Sequence, residues 1–258
     1  MIPKIIHLCW LSGDPFPDSI KLCLDSWKIH LPDYEVWLWD TKRFDVNSTI
    51  WTKEAFERKK YAFAADYIRL YALYNYGGIY LDSDVVVYKS FNDLLQFPYF
   101  IGQSYTGAFE AAVIGAEKGT KWLADILERY KDRHFIKNDG TLDMEELPKI
   151  FSRVLNAKYR FYRLHQLEPY FLFPEVFYLF DKDFFNSRNS IKPRRTFKSY
   201  CAHNYLGGWS TKQSRPSLKT RIQRFIPDWL LNLYFTFSHN TFKKKQLRKY
   251  EPRFMNDE

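Results

Sequence analysis

The sequence predicts a mixed α/β fold, a central sheet carrying parallel strands with helices packed on it. Three observations carry that expectation. The apolar run KIIHLCWL (4–11) is followed by a helical pattern and then by the alternating run YEVWLWD (34–40), a β-α-β opening that implies a parallel pair. A second apolar, β-branched run, IYLDSDVVVY (79–88), emerges from a long helical stretch. The chain of 258 residues is 46% hydrophobic, with 23 Phe, 19 Tyr and 8 Trp, enough to pack one large core.

Taken in order, 4–11 is expected to be a buried strand, stopped by the turn-rich SGDPFPDS. Residues 19–31 space Ile20, Cys23, Leu24 and Trp27 on one helical face, and Pro32 closes that helix. In 34–40, Val36 and Leu38 face away from Trp37 and Trp39. Residues 52–78 form one or two helices, with Gly77 placed to end the last in a left-handed conformation. The run 79–88 is expected to be one buried strand. Strand candidates YFIGQSY and FEAAVIGAEKG follow, then an amphipathic helix over 120–134 and another in MEELPKIFSRVL. Residues 200–210, YCAHNYLGGWS, read as a strand entering a glycine loop.

The net charge of +9 implies an anionic partner without choosing among nucleic acid, a lipid surface and a phosphorylated small molecule. No nucleic-acid-binding motif is visible, so nucleic acid is not expected as a partner. Three cysteines, Cys9, Cys23 and Cys201, form no CxxC pair and no even framework, which points to buried thiols in a reducing compartment. The first residues are a core strand rather than a signal peptide, since His7 interrupts a short apolar run and no small-residue cleavage site follows. No apolar run is long enough to span a membrane. A cytoplasmic location is the expectation.

Asp82 and Asp84 break the apolar run at 79–88, and burying carboxylates is costly unless something positive meets them. If the run is one strand, the two project from one face about 7 Å apart. Mutual repulsion then calls for a cation, and a divalent ion completed by substrate phosphates is one resolution. Alternatively the strand ends at Leu81 and both lie in a solvated turn. An Asp-x-Asp after an apolar strand also matches the nucleophile loop of haloacid-dehalogenase-type phosphatases, but some eighty residues precede it here and no Gly-Asp-x-x-x-Asp loop follows. Upstream, Asp66 and Arg69 lie three apart on a helix and so share a face.

The order Ala-Asp-x-x-Arg, helix, Gly-Gly-x-Tyr-x-Asp-x-Asp, in AADYIRLYALYNYGGIYLDSD (64–84), resembles glycosyltransferase family 32. That family includes fungal initiating mannosyltransferases and bacterial capsule and surface-polysaccharide enzymes, and is similar to the catalytic core of the clostridial glucosylating toxins. IPKIIHLCWLSG and HNYLGGW (203–209) add to the resemblance, which covers roughly the first 210 residues.

The resemblance implies a Rossmann-like nucleotide-sugar-binding fold of the GT-A type. It also implies a divalent metal, Mn²⁺ or Mg²⁺, and transfer of a hexose from a nucleoside-diphosphate sugar with retention. Carried over, Asp84 is a direct metal ligand; Asp82 meets the ribose or sugar, or the metal through water. Asp66 and Arg69 hold the donor's hydroxyls, with Tyr80 alongside. Trp10 either stacks on the nucleobase or is a core residue. His203 either completes the metal site or is structural. Gly208 stands where the family usually has serine, which leaves the ligand set open, and Trp209 could donate its indole N–H to a phosphate. Glu110 is an acceptor-side candidate or a structural residue. No nucleophilic carboxylate is evident, so a front-face route assisted by the leaving phosphate is preferred. UDP-hexose is favoured over GDP-mannose.

Residues 1–214 are thus expected to form the catalytic domain. From 215 to 258 the chain interleaves bulky apolar residues, among them Phe225, Trp229 and Phe235, with Lys219, Arg221, Arg224, Lys243, Lys244, Lys245, Arg248 and Lys249. This is either a helical extension with a solvated basic face or a contact with an anionic membrane surface, the latter suiting a lipid-linked glycan acceptor on the inner face of the membrane. The alternatives are a toxin-like protein glycosyltransferase and a non-enzymatic basic protein.

Overall fold

The computed structural model describes residues 1–104, 107–167, 173, 175–185, 188–189, 192–193, 195–204, 252 and 254–255. The expected opening is present as β1 (Ile5–Cys9), α1 (Asp18–His30) and β2 (Glu35–Trp39), with β1 and β2 parallel. Alternation sets the faces: Ile6 and Leu8 are buried against the Trp27 side of α1, while Trp39 faces the opposite core. Residues 50–76 form two helices, α2 (Ile50–Glu57), N-capped by the Thr49 hydroxyl, and α3 (Tyr61–Tyr76). Positive φ at Lys59 separates them.

α3 is buried on most sides, and Ala64, Ala65 and Ala72 let it lie close to the sheet. It stops at Gly77, whose φ of 68° is positive as expected, but whose ψ of −173° is extended rather than left-handed helical. Gly78 follows at φ 108°, where a Cβ would meet Ile5 O at 2.6 Å. Two glycines therefore turn the chain sharply into the sheet.

β3 (Gly78–Leu81) pairs parallel with β1 and antiparallel with β6 (Phe109–Ala116); β6 pairs antiparallel with β5 (Tyr99–Gln103), beyond which lie β8 (Val176–Phe180) and β7 (Arg160–Leu164). The seven-stranded order is β2-β1-β3-β6-β5-β8-β7, four pairings parallel and two antiparallel. The expected mixed α/β sheet is thus observed. α2, α3, α4 (Lys121–Leu127) and α5 (Leu147–Lys158) cover one face. On the other face lie α1, the short α6 (Lys182–Phe185) and a small second sheet. That sheet joins β4 (Val85–Val87) to β11 (Cys201–His203); separately, β9 (Arg188–Asn189) pairs antiparallel with β10 (Lys192–Pro193). The order β2-β1-β3 reverses direction at β1, so the crevice between the C-terminal ends of β1 and β3 is the topological switch point at which open α/β sheets bind ligands.

Two expectations need correction. The run 79–88 is not one strand: β3 ends at Leu81, Asp82–Asp84 form a turn closed by Val85 N–H donating to Asp82 O at 3.0 Å, and β4 restarts in the other sheet. The turn is nevertheless poorly solvated, with the Asp82 and Asp84 side chains only 24% and 13% exposed. The helix expected over 120–134 is α4 followed by a single 3₁₀ turn at Glu128–Tyr130, after which Asp132 takes a positive φ. All three cysteines are free thiols, Cys23 and Cys201 buried. Among the described residues no helix is long and apolar enough to cross a membrane. The basic segment 215–258 lies outside the described residues except at 252 and 254–255.

Candidate active site

The switch-point crevice is lined by charged groups that different elements supply for different reasons. Asp66 and Arg69 project from the same side of α3, and Arg69 Nη2 lies 3.0 Å from Asp66 Oδ1 and 3.2 Å from Asp82 Oδ1. Arg69 Nη1 donates to the Ala111 carbonyl of β6 at 2.8 Å, and its guanidinium lies over the Tyr80 ring, 4.5 Å from the centroid. Tyr80, on β3, donates its hydroxyl to Asp82 Oδ1 at 2.8 Å. Asp82 is therefore fixed in place by a phenol, a guanidinium and its own N–H, which donates to Ala112 O at 2.9 Å.

β11 pairs with β4 so that His203 lies opposite Val85, and Asn204 N–H donates to Asp84 O at 3.0 Å. That pairing sets His203 Nε2 3.2 Å from Asp84 Oδ1 and 4.0 Å from Asp82 Oδ2. The other ring nitrogen, Nδ1, is 3.3 Å from Glu110 Oε1. Glu110 itself is buried on β6, where Ala112 N–H donates to its carboxylate at 3.1 Å. The sequence left Glu110 as an acceptor-side candidate or a structural residue; its carboxylate here contacts His203.

The electrostatics follow from this crowding. Burial opposes a charge on His203, but the Asp84 and Glu110 carboxylates outweigh it and raise its pKa to about 10. Burial raises Asp66 to about 7 against the pull of Arg69. Arg69 answers to Asp82 and Tyr80 as well as Asp66, so it stays charged although burial opposes that, while Asp66 gets only a share of it and is repelled by Asp82. Burial drives the Tyr80 phenol well above its ordinary value, so it acts as a neutral donor.

Asp82, Asp84 and His203 each offer one ligand atom, and these atoms lie within 4.8 Å of one another. Two carboxylate oxygens and an imidazole nitrogen, arranged as like charges held together by one cationic ring, are a donor set that fits a divalent ion of the Mn²⁺ or Mg²⁺ kind. The Glu110–His203 contact is the carboxylate–histidine arrangement that orients a metal-binding imidazole.

Trp10 stands just beyond β1, with its indole N–H donating to Asp14 O at 2.8 Å and its ring centroid 4.9 Å from that of Phe16. It is half-buried, one residue past the C-terminal end of β1. His7 is structural: Trp39 Nε1 donates to its Nδ1 at 3.0 Å, its Nε2 bonds Gly77 O at 2.6 Å, and burial lowers its pKa to about 4. Gly208 and Trp209 lie outside the described residues. Tyr130, not singled out from the sequence, is buried near Asp66 and Arg69 with a hydroxyl that bonds nothing among the described residues. Its position at the end of a helix gave no signal.

A carboxylate-rich site at the switch point of a mixed α/β sheet stands where such sheets bind ligands, and its donor set suits phosphate or hydroxyl groups met with a cation. Residues 17–101 match the family described as "Glycosyltransferase sugar-binding region containing DXD motif". The chain is 32% identical over 133 residues to inositol phosphoceramide mannosyltransferase 3 of Schizosaccharomyces pombe, covering 49% of this chain and 36% of that protein. It is 28% identical over 173 residues to mannosyl phosphorylinositol ceramide synthase SUR1 of Saccharomyces cerevisiae, covering 64% of this chain and 44% of that one. The chain thus spans less than half the length of these curated relatives. Among solved structures it is similar to one titled PaToxG Glycosyltransferase, at 21% identity and a TM-score of 0.41, over 49% of this chain and 59% of that chain. A likeness at that level carries no argument about function.

Proposed function

We propose that the chain transfers a hexose from a nucleoside-diphosphate sugar to a glycan or lipid-linked acceptor, using a divalent metal and retaining the anomeric configuration. The observation that carries this is the convergence of Asp82, Asp84 and His203 beside the Asp66–Arg69 pair. Asp84, Asp82 and His203 would hold the ion, and the imidazole favours Mn²⁺ over Mg²⁺. When bound, the metal supplies charge stabilisation of the diphosphate leaving group.

The chain's own groups do the rest. Asp66 accepts hydroxyl hydrogen bonds from the donor sugar, and Arg69 holds Asp66 and Asp82 at a fixed separation. Tyr80 orients Asp82, and Trp10 borders the nucleobase end of the crevice. Glu110 positions His203 rather than serving as a nucleophile, which is consistent with a front-face route. The family's mannosyl relatives weigh towards GDP-mannose against the UDP-hexose favoured by the sequence, and both belong in one screen. The basic segment 215–258 would bring the site to an anionic membrane surface carrying the acceptor.

A thermal-shift screen of UDP- and GDP-sugars with Mn²⁺ or chelator tests the proposal. One donor should raise the unfolding temperature only with metal. If no donor does so at about millimolar concentration, the proposal fails, since even weak donor binding stabilises by mass action.

Two further results are expected. A metal-binding imidazole must be neutral, so metal entry displaces the proton that His203 holds up to about pH 10. Calorimetry in buffers of different ionisation enthalpy should show close to one proton released per Mn²⁺, and affinity rising roughly tenfold per pH unit between pH 7 and 9. The metal-free protein should behave oppositely. Because the folded pKa of His203 is raised, its stabilising contribution is complete below the unfolded value of 6.5 and is lost as pH rises to about 10.

Glu110→Gln keeps the acceptor for Ala112 N–H but removes the charge facing His203. Mn²⁺ affinity should fall about 10–100-fold with the fold intact. An unchanged affinity in a metal titration would show that Glu110 does not position the ring.

A further inference from the structure

α3 presents Asp66 and Arg69 to the crevice, but its Tyr67 and Tyr71, one turn apart, belong to a different stripe. That stripe faces the edge strand β2. Together with Trp37, Trp39, Tyr76 and Arg43 they line a cavity of about 270 Å³ that shares no residue with the Asp82–Asp84–His203 cluster. β2 is separated from β3 by β1, so at about 4.8 Å per strand the two sites stand roughly 10 Å apart across the sheet.

We propose that this cavity is a saccharide-binding subsite, holding one pyranose ring away from the point of transfer. Four observations favour that class of ligand. The walls are aromatic, and Trp37 and Tyr76 pack edge to face at 5.3 Å, leaving a concave apolar surface suited to the C–H face of a sugar. The Trp37 indole N–H beside the cavity is buried and bonds nothing among the described residues, an unsatisfied donor in the cavity wall. Asp45 and Ser48 on the rim supply a carboxylate and a hydroxyl, which accept from and donate to hydroxyls. Arg43 lies over Trp37 and Trp39, 4.7 and 5.8 Å from their centroids, so a cationic ligand would meet a charge already in place. The volume falls just below the range of pockets that take drug-sized molecules, room for a single ring rather than a nucleotide.

The inference does not depend on metal or donor. The experiment is saturation-transfer NMR on the whole chain with chelator present. The probes are methyl α-mannopyranoside, methyl α-glucopyranoside and methyl β-galactopyranoside, with choline and uridine as controls. At least one glycoside should bind saturably and the controls should not. Trp37→Ala and Tyr76→Ala should each weaken that binding about tenfold or more, the scale of losing one aromatic anchor. Asp84→Asn should leave it unchanged. Tyr76 is 42% exposed, so its truncation spares the core and carries the test even if Trp37→Ala does not fold. No saturable glycoside binding by the wild type overturns the inference. Binding of choline or uridine in place of every glycoside also overturns it, as does glycoside binding that survives Tyr76→Ala but is lost in Asp84→Asn.

Discussion

Asp84→Asn is expected to abolish the metal-dependent thermal shift with any nucleotide sugar and to lower sugar transfer about a thousandfold or more. The side chains are nearly isosteric, and Asp84 lies in a turn where its backbone carbonyl, not its carboxylate, accepts from Asn204 N–H. The fold should therefore survive. What changes is the charge 3.2 Å from His203 Nε2. Removing it takes away a metal ligand and one of the two carboxylates that hold the imidazole protonated. The His203 pKa in the metal-free variant should fall below that of the wild type, which NMR titration of the imidazole reads directly. A variant that lost transfer but kept both the Mn²⁺ shift and the His203 titration would place the metal elsewhere.

The parts of this site that sequence exposes are those written at short range. Asp66 and Arg69 are three residues apart on a helix, and Asp82 and Asp84 two apart after a strand, so their company follows from helical and extended geometry. The strand stops at Leu81 although VVV at 85–87 continues the apolar pattern. Hydrophobicity does not distinguish a strand that continues from one that turns and resumes in a second sheet. The Glu110–His203 contact was not legible, since it depends on β6 pairing with β3 and on β11 pairing with β4, contacts between segments far apart in the chain. His203 was nameable from its motif; the carboxylate behind it was not. The aromatic cavity at β2 shows the same limit from the other side. Trp37 and Trp39 announce themselves as one face of a strand, but only the packing of α3 shows that Tyr71 meets Trp39 and that Tyr67 lines the same cavity.

Arg69→Ala is expected to cost about 3–5 kcal/mol of stability, as breaking a buried ion pair from one side does. The Arg69 side chain is 7% exposed and that of Asp66 12%, so neither Asp66 nor the Ala111 carbonyl can turn to water when the guanidinium is removed. For a chain of this size that corresponds to a fall in unfolding temperature of roughly 10 °C. The loss should depend on pH, and its sign is fixed by Asp66. With its pKa raised by burial to about 7 even beside Arg69, Asp66 is protonated at pH 5 and charged at pH 8. Removing the arginine raises that pKa further, so the variant loses less at pH 5, where the carboxyl is neutral in both proteins, than at pH 8. Arg69→Ala/Asp66→Asn should then recover part of the stability at pH 8 and little at pH 5. Paired thermal melts at the two pH values measure this. A deficit of equal size at both would mean that the cost is lost packing over the Tyr80 ring, and not an unpaired charge.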